Sequence, residues 1–239
     1  MNQDSLVIKS LNFHGHTVLM AAVCDGVGGL RQGELTSRKA AEMLSMWFDF
    51  ELPQIIGHSN TRNMMYCRCK QLFADINKEI YYGNLRAGVS SGTTVSMILL
   101  WDYQYLIGHV GDSRIYEITG QMRQLTTDHS FLAREVALGH MTLEEAALDS
   151  RQNVILKCMG TEADVEPDLL MGTVSEPAVF LLCTDGFWHY MEPKTWAACL
   201  SPQMISGEKQ LGELLYQMTE CVKNKGETDN ITVIAIDVC

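Results

Sequence analysis

The order of the predicted elements indicates an α+β fold built mainly from antiparallel sheets. Residues 5–10 and 17–24 are predicted to pair as strands, and two amphipathic helices follow over residues 33–50 and about 61–82. A block of strands comes next, and the chain ends on an apolar strand over residues 231–238. Strands and helices occur in blocks rather than in strict alternation, which is typical of the α+β class.

The second half of the chain supplies the remaining strands. Short polar turns separate apolar runs at residues 93–101, 104–110 and 114–118, which predicts a meander. Residues 127–158 turn into short helical segments rich in Ala and Glu, which we interpret as an inserted flap. The apolar runs at 169–174 and 178–184 are predicted to pair around a turn at Glu176-Pro177. Short and longer helices are expected from Pro193 and over 208–223.

Composition excludes several classes of function. The 239 residues carry a formal net charge of -11, and no cluster of Lys and Arg marks a surface for nucleic acid or an anionic membrane. The longest apolar runs are far shorter than the roughly 20 residues that span a bilayer. No signal peptide is visible, and eight scattered cysteines form no C-x-x-C pair. We therefore expect a cytoplasmic protein with reduced core cysteines, no nucleic-acid partner and no membrane contact.

Aspartates mark the ends of four predicted strands. Asp25, Asp112 and Asp185 follow apolar strands, and Asp229 directly precedes one. Because neighbouring antiparallel strands start and end at the same sheet edge, these carboxylates are predicted to converge. Gathered carboxylates repel one another and need cations, and hard oxygen ligands in an open site favour Mg²⁺ or Mn²⁺ over Zn²⁺.

Seven motifs, taken in order, resemble one family. The sequence contains, in order, Asn2-Gln-Asp4-Ser5, Asp25-Gly-Val-Gly-Gly29, Gly92-Thr-Thr94, Gly111-Asp-Ser-Arg114, Leu125-Thr-Thr-Asp-His-Ser130, Thr184-Asp-Gly186 and Asp229-Asn-Ile-Thr232. Any one of them is a weak signal, whereas the ordered set is highly specific. In this the chain resembles the metal-dependent protein phosphatases of type 2C, in their bacterial branch, over essentially its whole length.

The resemblance implies a four-layer αββα sandwich, with residues 1–239 as a single phosphatase domain and a flap at about 127–168. It implies two core ions of Mn²⁺ or Mg²⁺, with Asp25 bridging both, the Gly26 carbonyl completing one, and Asp185 and Asp229 binding the other. Asp112 matches the ligand of a third, weaker ion, and Asp4 an acidic residue that acts through metal-bound water.

The implied catalytic set is therefore Asp25, Asp185, Asp229 and Asp4, acting on phosphoserine or phosphothreonine in a protein. A water that bridges the two ions would attack phosphorus directly, without a covalent phosphoenzyme. The implied setting is a serine/threonine kinase system, with the phosphatase a monomer that dephosphorylates the kinase's products.

Three features depart from the family pattern. The usual phosphate-binding arginine would fall upstream of Met1 and is absent from this sequence, as is the first strand. A chain that naturally starts here would bind substrate more weakly, because a bidentate Arg–phosphate contact is hard to replace. Arg31 is a candidate substitute. Position 27 is valine where eukaryotic members carry a histidine proposed as general acid, and the acidic run Gly226-Glu-Thr precedes Asp229 without an evident reason.

Five residues near the predicted motifs receive structural interpretations. Arg114 is expected to pair with a nearby carboxylate rather than to bind phosphate. Asp128 is expected to cap a helix that begins near His129, and His129 itself to anchor the flap. Trp188 and Tyr190 are expected to be core or rim aromatics.

Other interpretations of the sequence are weaker. Gly88-Val-Ser-Ser-Gly92 matches the nucleophile elbow of serine hydrolases, but a helix precedes it and a strand follows, which reverses the required context. Gly26–Arg31 lacks the third glycine of a dinucleotide loop. The rival from another class is a catalytically weak pseudophosphatase or a regulatory binding module dedicated to one partner. The absent arginine favours it, and the retained aspartates oppose it.

Overall fold

Two antiparallel sheets form the centre of the molecule. In this computed structural model the described residues are 2–13, 15–29, 32–174 and 176–238. The first sheet has five strands, all antiparallel, in the order β1-β2-β5-β6-β9. Its strands are β1 (Ser5–Phe13), β2 (His16–Cys24), β5 (Val95–Trp101), β6 (Gln104–Val110) and β9 (Asp168–Thr173).

The second sheet has four strands in the order β11-β10-β7-β8, again antiparallel. They are β11 (Val233–Val238), β10 (Ala178–Cys183), β7 (Arg114–Ile118) and β8 (Met122–Gln124). A separate two-stranded ribbon pairs β3 (Gly26–Gly28) with β4 (Ser91–Thr93).

Three apolar cores separate four layers. One core lies between the outer face of the first sheet and the long helices α1 (Gln32–Phe50) and α2 (Thr61–Ala87). A second lies between the sheets, where Ile98 and Ile107 of the first face Phe180 and Ile234 of the second.

The third core packs the second sheet against the helices that follow β10. These are α5 (Asp185–Trp188), α6 (Pro193–Cys199) and α7 (Glu208–Asn224). The layer order is helix, sheet, sheet, helix, so the predicted αββα sandwich is confirmed. Burial of several dozen apolar side chains in these cores supplies the main favourable term in folding.

Two predicted strand pairings are wrong for one reason. The predicted meander breaks after β6, because β7 leaves the first sheet and joins the second. Likewise β9 and β10 do not pair with each other: β9 adds to β6, and β10 lies between β7 and β11. In both cases a short connection crosses from one sheet to the other. Two stacked sheets allow that crossing, and turn residues alone do not reveal it.

Element boundaries also differ from the prediction in places. The second helix runs to Ala87 rather than to about residue 82, and ends at Gly88 in the left-handed region, with φ 64°. The predicted strand at 93–101 divides into β4 and β5, and the glycine turn after Asp25 is the short strand β3.

The predicted flap contains two short helices, α3 (Phe131–Ala137) and α4 (Leu143–Leu148). Ser130 caps α3 by accepting from the Ala133 amide, and Thr142 caps α4 in a reciprocal capping box with Glu145. α4 has no buried residue, so its apolar side chains are open to the surface. None of the helices in the described ranges combines the length and apolar character that a bilayer crossing requires.

Candidate active site

The strand register brings the predicted aspartates to one edge of the sandwich. Asp4 directly precedes β1 and Asp25 directly follows β2, and the paired residues Ser5 and Cys24 place them side by side. Asp112 follows β6, Asp185 follows β10 after one residue, and Asp229 lies in the loop before β11. The electrostatic influence of these carboxylates on one another reflects this proximity.

Among the neighbouring charges, that of Asp185 raises the pKa of Asp25 most. Burial raises the pKa of Asp25 far above its ordinary value, and the charges of Asp185, Asp4 and Asp112 raise it further. Burial also raises the pKa of Asp185; nearby His189 and the hydrogen bond from the Gly186 amide oppose that rise, and the charge of Asp229 adds to it. Without a cation, a proton retained on Asp25 relieves the repulsion.

The backbone at Asp25 is held by the Gly92-Thr-Thr94 motif. The Asp25 amide donates to the Thr94 hydroxyl at 2.9 Å, and the Asp25 carbonyl accepts from the Thr94 amide at 2.8 Å and the Thr93 hydroxyl at 2.9 Å. The following Gly26 amide donates to the Gln3 carbonyl at 3.2 Å. These contacts fix the carboxylate and the next carbonyl in position without using any side-chain atom of Asp25.

Gly26 is required by close backbone packing. A Cβ at this position would overlap the carbonyl group of Gly33 in α1 and lie 2.7 Å from the Gln3 carbonyl oxygen. Only glycine fits where the first turn of α1 approaches β3 so closely.

Asp4 is held by two threonines whose role the sequence did not reveal. Its Oδ2 accepts from the Thr184 hydroxyl at 3.0 Å and from the Thr232 hydroxyl at 2.7 Å. Burial raises the pKa of Asp4, and the two hydroxyls oppose the rise. Its Oδ1 is buried and makes no hydrogen bond within the described residues. Both threonines lie inside the family motifs, directly before Asp185 and two residues after Asn230, so their spacing was a usable signal.

Asp112 has a similar unpaired oxygen. Its Oδ1 is buried without a partner in the described part of the chain, and burial raises the pKa of Asp112 to about 7, with Asp185 and Asp128 adding to the shift. Its backbone carbonyl accepts from the indole Nε1 of Trp188 at 3.0 Å. Trp188 therefore supports the chain at Asp112, beyond the core or rim role expected for it.

Asp229 lies on an exposed loop that Glu227 shapes. The Glu227 Oε1 accepts from the amides of Thr228 at 2.7 Å and Asp229 at 2.8 Å, and its Oε2 lies 3.5 Å from Nδ1 of His189. Asn230 links the loop to the N-terminal segment, because its side-chain oxygen accepts from the Gln3 amide at 2.7 Å. The acidic residue before Asp229 thus has a structural explanation.

The expectations for the flap base were partly right. Arg114 does pair with a carboxylate, forming a two-pronged ion pair with Asp128 at 2.7 Å, and its guanidinium stacks on the Trp188 ring at 3.4 Å from the centroid. The prediction that Asp128 caps a helix is wrong: Ser130 is the cap, and Asp128 is occupied by Arg114 and Gln124. The demand of a buried guanidinium for a carboxylate outweighs capping here.

His129 anchors the flap, as expected. Its backbone amide donates to the Gly111 carbonyl at 2.7 Å, its Nδ1 accepts from the Gly111 amide at 3.1 Å, and its carbonyl accepts from the Leu156 amide at 2.7 Å. Its ring stacks on that of His109 with centroids 4.9 Å apart.

The site's donor chemistry suits a hard divalent cation. Carboxyl groups with raised pKa, two of which keep a buried oxygen without a partner among the described residues, are oxygen donors that lack sufficient partners. Within the described residues, however, no three His, Cys, Asp or Glu side chains are already disposed around one point as ligands.

Arg31 and the cysteines contribute nothing further to the description of the site. Arg31, the candidate substitute for a phosphate-binding arginine, lies outside the described residues. The cysteines nearest the site, Cys24 and Cys183, are fully buried free thiols whose pKa burial raises. A buried thiol with a raised pKa is a poor nucleophile, so neither competes with the carboxylates for a catalytic role.

Comparison with known proteins places this constellation in a family. The profile of the protein phosphatase 2C family matches residues 1–231. The serine/threonine phosphatase stp of Listeria monocytogenes is 28% identical over 218 residues, covering 90% of this chain and 82% of that protein. The protein phosphatase PhpP of Streptococcus pneumoniae is 26% identical over 240 residues, covering 99% and 92%.

Solved structures agree. The serine/threonine phosphatase Stp1 of Staphylococcus aureus superposes with a TM-score of 0.85 at 26% identity, covering 100% of this chain and 89% of that one. The fold is that of a metal-dependent protein phosphatase. The chain belongs to the protein phosphatase 2C family and is a protein serine/threonine phosphatase.

Proposed function

We propose that this phosphatase hydrolyses phosphoserine and phosphothreonine through the aspartate edge described above, with two divalent cations, Mn²⁺ or Mg²⁺, as cofactors. One observation carries the proposal: strand ends of both sheets bring Asp4, Asp25, Asp112 and Asp185 to one edge of the sandwich, where burial raises the pKa of all four and the charge of Asp185 adds to the rise at the other three. Such a cluster destabilises the fold unless it binds cations, and perturbed carboxylates of this kind mark functional sites.

Each carboxylate has a distinct proposed place. Asp25 would be shared by both ions, with the Gly26 carbonyl completing one, and Asp185 and Asp229 would hold the other. Asp112 would hold a third, weaker ion. When bound, two such ions lower the pKa of water and neutralise phosphate oxygens during in-line displacement. Asp229 would complete the set of metal ligands. It lies on an exposed loop whose backbone is held by the Glu227 carboxylate.

The remaining residues would position these groups. Thr184 and Thr232 occupy Oδ2 of Asp4, which leaves Oδ1 to accept a hydrogen bond from water. Thr93 and Thr94 hold the Asp25 backbone, and the Trp188 indole holds the Asp112 carbonyl. With Val27 in place of a histidine, the proton for the serine or threonine leaving group would come from water.

The domain and its setting belong to the same proposal. We propose residues 1–239 as one phosphatase domain with its flap at about 127–168, acting as a cytoplasmic monomer on the products of a serine/threonine kinase. The similarity to protein serine/threonine phosphatases over nearly the whole chain supports phosphoproteins as substrates. Nothing in the comparisons supports the pseudophosphatase alternative.

Hydrolysis of phosphopeptides tests the proposal. Purified protein, stripped with EDTA and then supplied with millimolar Mn²⁺ or Mg²⁺, is expected to release phosphate from phosphoserine and phosphothreonine peptides and not from a matched phosphotyrosine peptide. Comparing the two ions at equal concentration also decides which supports the faster turnover. Release that is unaffected by EDTA, or equal release from phosphotyrosine, would contradict it.

A further inference from the structure

A cavity of about 510 Å³ lies between the flap helices and the second sheet. One wall is the apolar side of α3 and α4, formed by Leu132, Ala133, Val136, Ala137, Leu143 and Ala146. Leu143 is 73% exposed although it lines the cavity. The volume is in the usual range for ligand pockets, and this wall presents apolar surface that no described side chain covers.

The opposite wall of the cavity contains polar residues, but most of their hydrogen-bond donors are already paired within the protein. Arg114 lies flat on Trp188, and its guanidinium already donates to Asp128 and to the Tyr116 hydroxyl. Gln124 donates to Asp128 and to the Thr126 carbonyl. Because these groups satisfy one another, the wall offers an occupant mainly a stacked, planar surface. An apolar occupant therefore leaves no polar group newly unpaired.

This cavity continues into a second one that reaches the aspartate edge. The second, of about 630 Å³, is lined by polar residues that include Asn153, Glu227 and Asp229. The two cavities share Ala147, Gln152 and His189, so they adjoin. A peptide whose phosphate lies at Asp229 could thus follow the polar cavity and place a side chain in the apolar one. The side chain of Asn153 and the side-chain oxygen of Gln152, whose Nε2 already donates to the Ala147 carbonyl at 2.6 Å, are suited to hydrogen-bond a peptide backbone there.

We propose that the cavity beneath α3 and α4 is a specificity subsite that binds one large apolar side chain of the phosphoprotein substrate, such as leucine or phenylalanine, near the phosphorylated residue. This inference rests on the proposed function, because it assigns a part of the same substrate to a neighbouring site. The occupant is a substrate side chain rather than a free ligand because the cavity adjoins the polar one that ends at Asp229.

A positional peptide library tests the subsite. Phosphothreonine peptides on a glycine and serine background carry leucine, phenylalanine or aspartate at one position at a time, within about five residues on either side. With Mn²⁺ present, leucine and phenylalanine are expected to raise kcat/KM roughly tenfold over glycine at one position, mainly through KM, because filling an apolar pocket discriminates on this scale. Aspartate at that position should give no gain.

Two leucines of α4 provide a matched pair of variants. Leu143 lines the cavity, whereas Leu148 is 89% exposed and lies outside its lining. Leu143→Lys places a charge in the apolar wall and is expected to reduce the ratio of leucine-peptide to glycine-peptide kcat/KM towards one. Leu148→Lys adds the same charge to the same helix and should keep the wild-type ratio.

The possible outcomes separate the subsite from the reaction itself. If the wild-type enzyme hydrolyses p-nitrophenyl phosphate and the glycine peptide but prefers no apolar position, the subsite is wrong and the phosphatase function stands. The subsite is also wrong if a free apolar compound occupies the cavity, or if both lysine variants lower the ratio equally. If no phosphomonoester is hydrolysed with Mn²⁺, the proposed function fails and the subsite fails with it.

Discussion

Asp25 and Asp185 bring carboxyl groups from the two sheets together at one edge of the sandwich, where burial raises the pKa of both and the charge of Asp185 raises that of Asp25 further. Asp25 follows β2 of the first sheet and Asp185 follows β10 of the second, so this contact joins the two sheets at their common edge. Two acidic groups held this close in a buried position store repulsion that a proton or a cation relieves. The stability of the metal-free protein should therefore report on the site.

Asp25→Asn is expected to stabilise the metal-free protein at alkaline pH. The folded-state pKa of Asp25 is raised, so the folded protein keeps a proton that the unfolded chain releases above about pH 4, and stability falls as pH rises from there. Asparagine keeps the size of the side chain and cannot ionise, so it removes that titration. In EDTA, the thermal midpoint of Asp25→Asn should exceed that of wild type at pH 8, by about 3 °C for each kcal/mol gained.

The difference in thermal midpoint between Asp25→Asn and wild type should shrink towards zero as the pH falls to about 4 and below. There the Asp25 carboxyl becomes protonated in the unfolded wild-type chain as it already is in the folded protein. Asp164→Asn, at an exposed surface position, is the control and should show no such trend. A constant difference between Asp25→Asn and wild type across pH 4–8 would show that Asp25 is not strained by its neighbours.

Gly26→Ala is expected to destabilise the fold. The new methyl group would overlap the Gly33 carbonyl, and backbone on both sides must move, at a cost of about 3 kcal/mol. Gly29→Ala is the matched control in the same loop, because its Cβ would meet only the Gln32 side chain at 3.7 Å. Urea unfolding of both variants measures the effect. Equal midpoints for the two variants would mean that the approach of β3 to α1 is not tight.

Acid should destabilise the protein through His109. Burial lowers the pKa of His109 to about 3, with the neighbouring His129 contributing, while the Thr127 carbonyl opposes the shift. Between about pH 6.5 and 3 the His109 imidazole binds a proton in the unfolded chain but not in the folded protein. Stability attributable to this group is therefore complete at neutral pH and falls on acidification, by up to about 1.4 kcal/mol per pH unit.

His109→Gln should flatten that dependence, although it also loses stability at pH 7 because the contacts to Ser96 and Thr127 change. The measurement is the free energy of unfolding in urea between pH 7 and 4. His58→Gln replaces an exposed histidine and should leave the slope unchanged. If His109→Gln kept the wild-type slope, the acid sensitivity would arise elsewhere.

Asp112→Ala is expected to keep two bound ions and lose turnover. Asp112 is the proposed ligand of the weaker third ion, and its Oδ1 is buried without a partner in the described part of the chain. Its removal should lower kcat with phosphopeptides by about tenfold or more, while calorimetry still detects the two core ions. Loss of all Mn²⁺ binding in this variant would show that Asp112 belongs to the core rather than to a third site.

The sequence was most informative where one strand end carried one aspartate. The fold class followed from the order of strand and helix blocks, and the family followed from the ordered motifs. Most of these motifs lie at a strand end, and the strand ends meet at the edge where the aspartates lie. Exchanges between the sheets, at β7 and between β9 and β10, were missed because a short turn looks the same whether or not it changes sheet.

Side-chain partners across long separations were also hard to foresee. The local sequence around Asp128 resembled a helix cap, yet Asp128 forms an ion pair with Arg114. Which of the two interactions forms depends on burial, which only the folded structure defines. Thr184 and Thr232 meet on Asp4 across 180 and 228 residues of chain. Their hydroxyls were visible in the motifs, but nothing local indicated that they share one carboxylate.

The central claim is that Asp25 holds the cations on which catalysis depends. The most direct measurement is a Mn²⁺ titration of EDTA-stripped wild type and Asp25→Ala, with phosphopeptide turnover and calorimetric binding followed on the same samples. We expect wild-type activity to rise with occupancy of two sites, and Asp25→Ala to lose both binding and turnover. A wild-type protein inactive at millimolar Mn²⁺, with Asp25→Ala binding metal as wild type does, would contradict it.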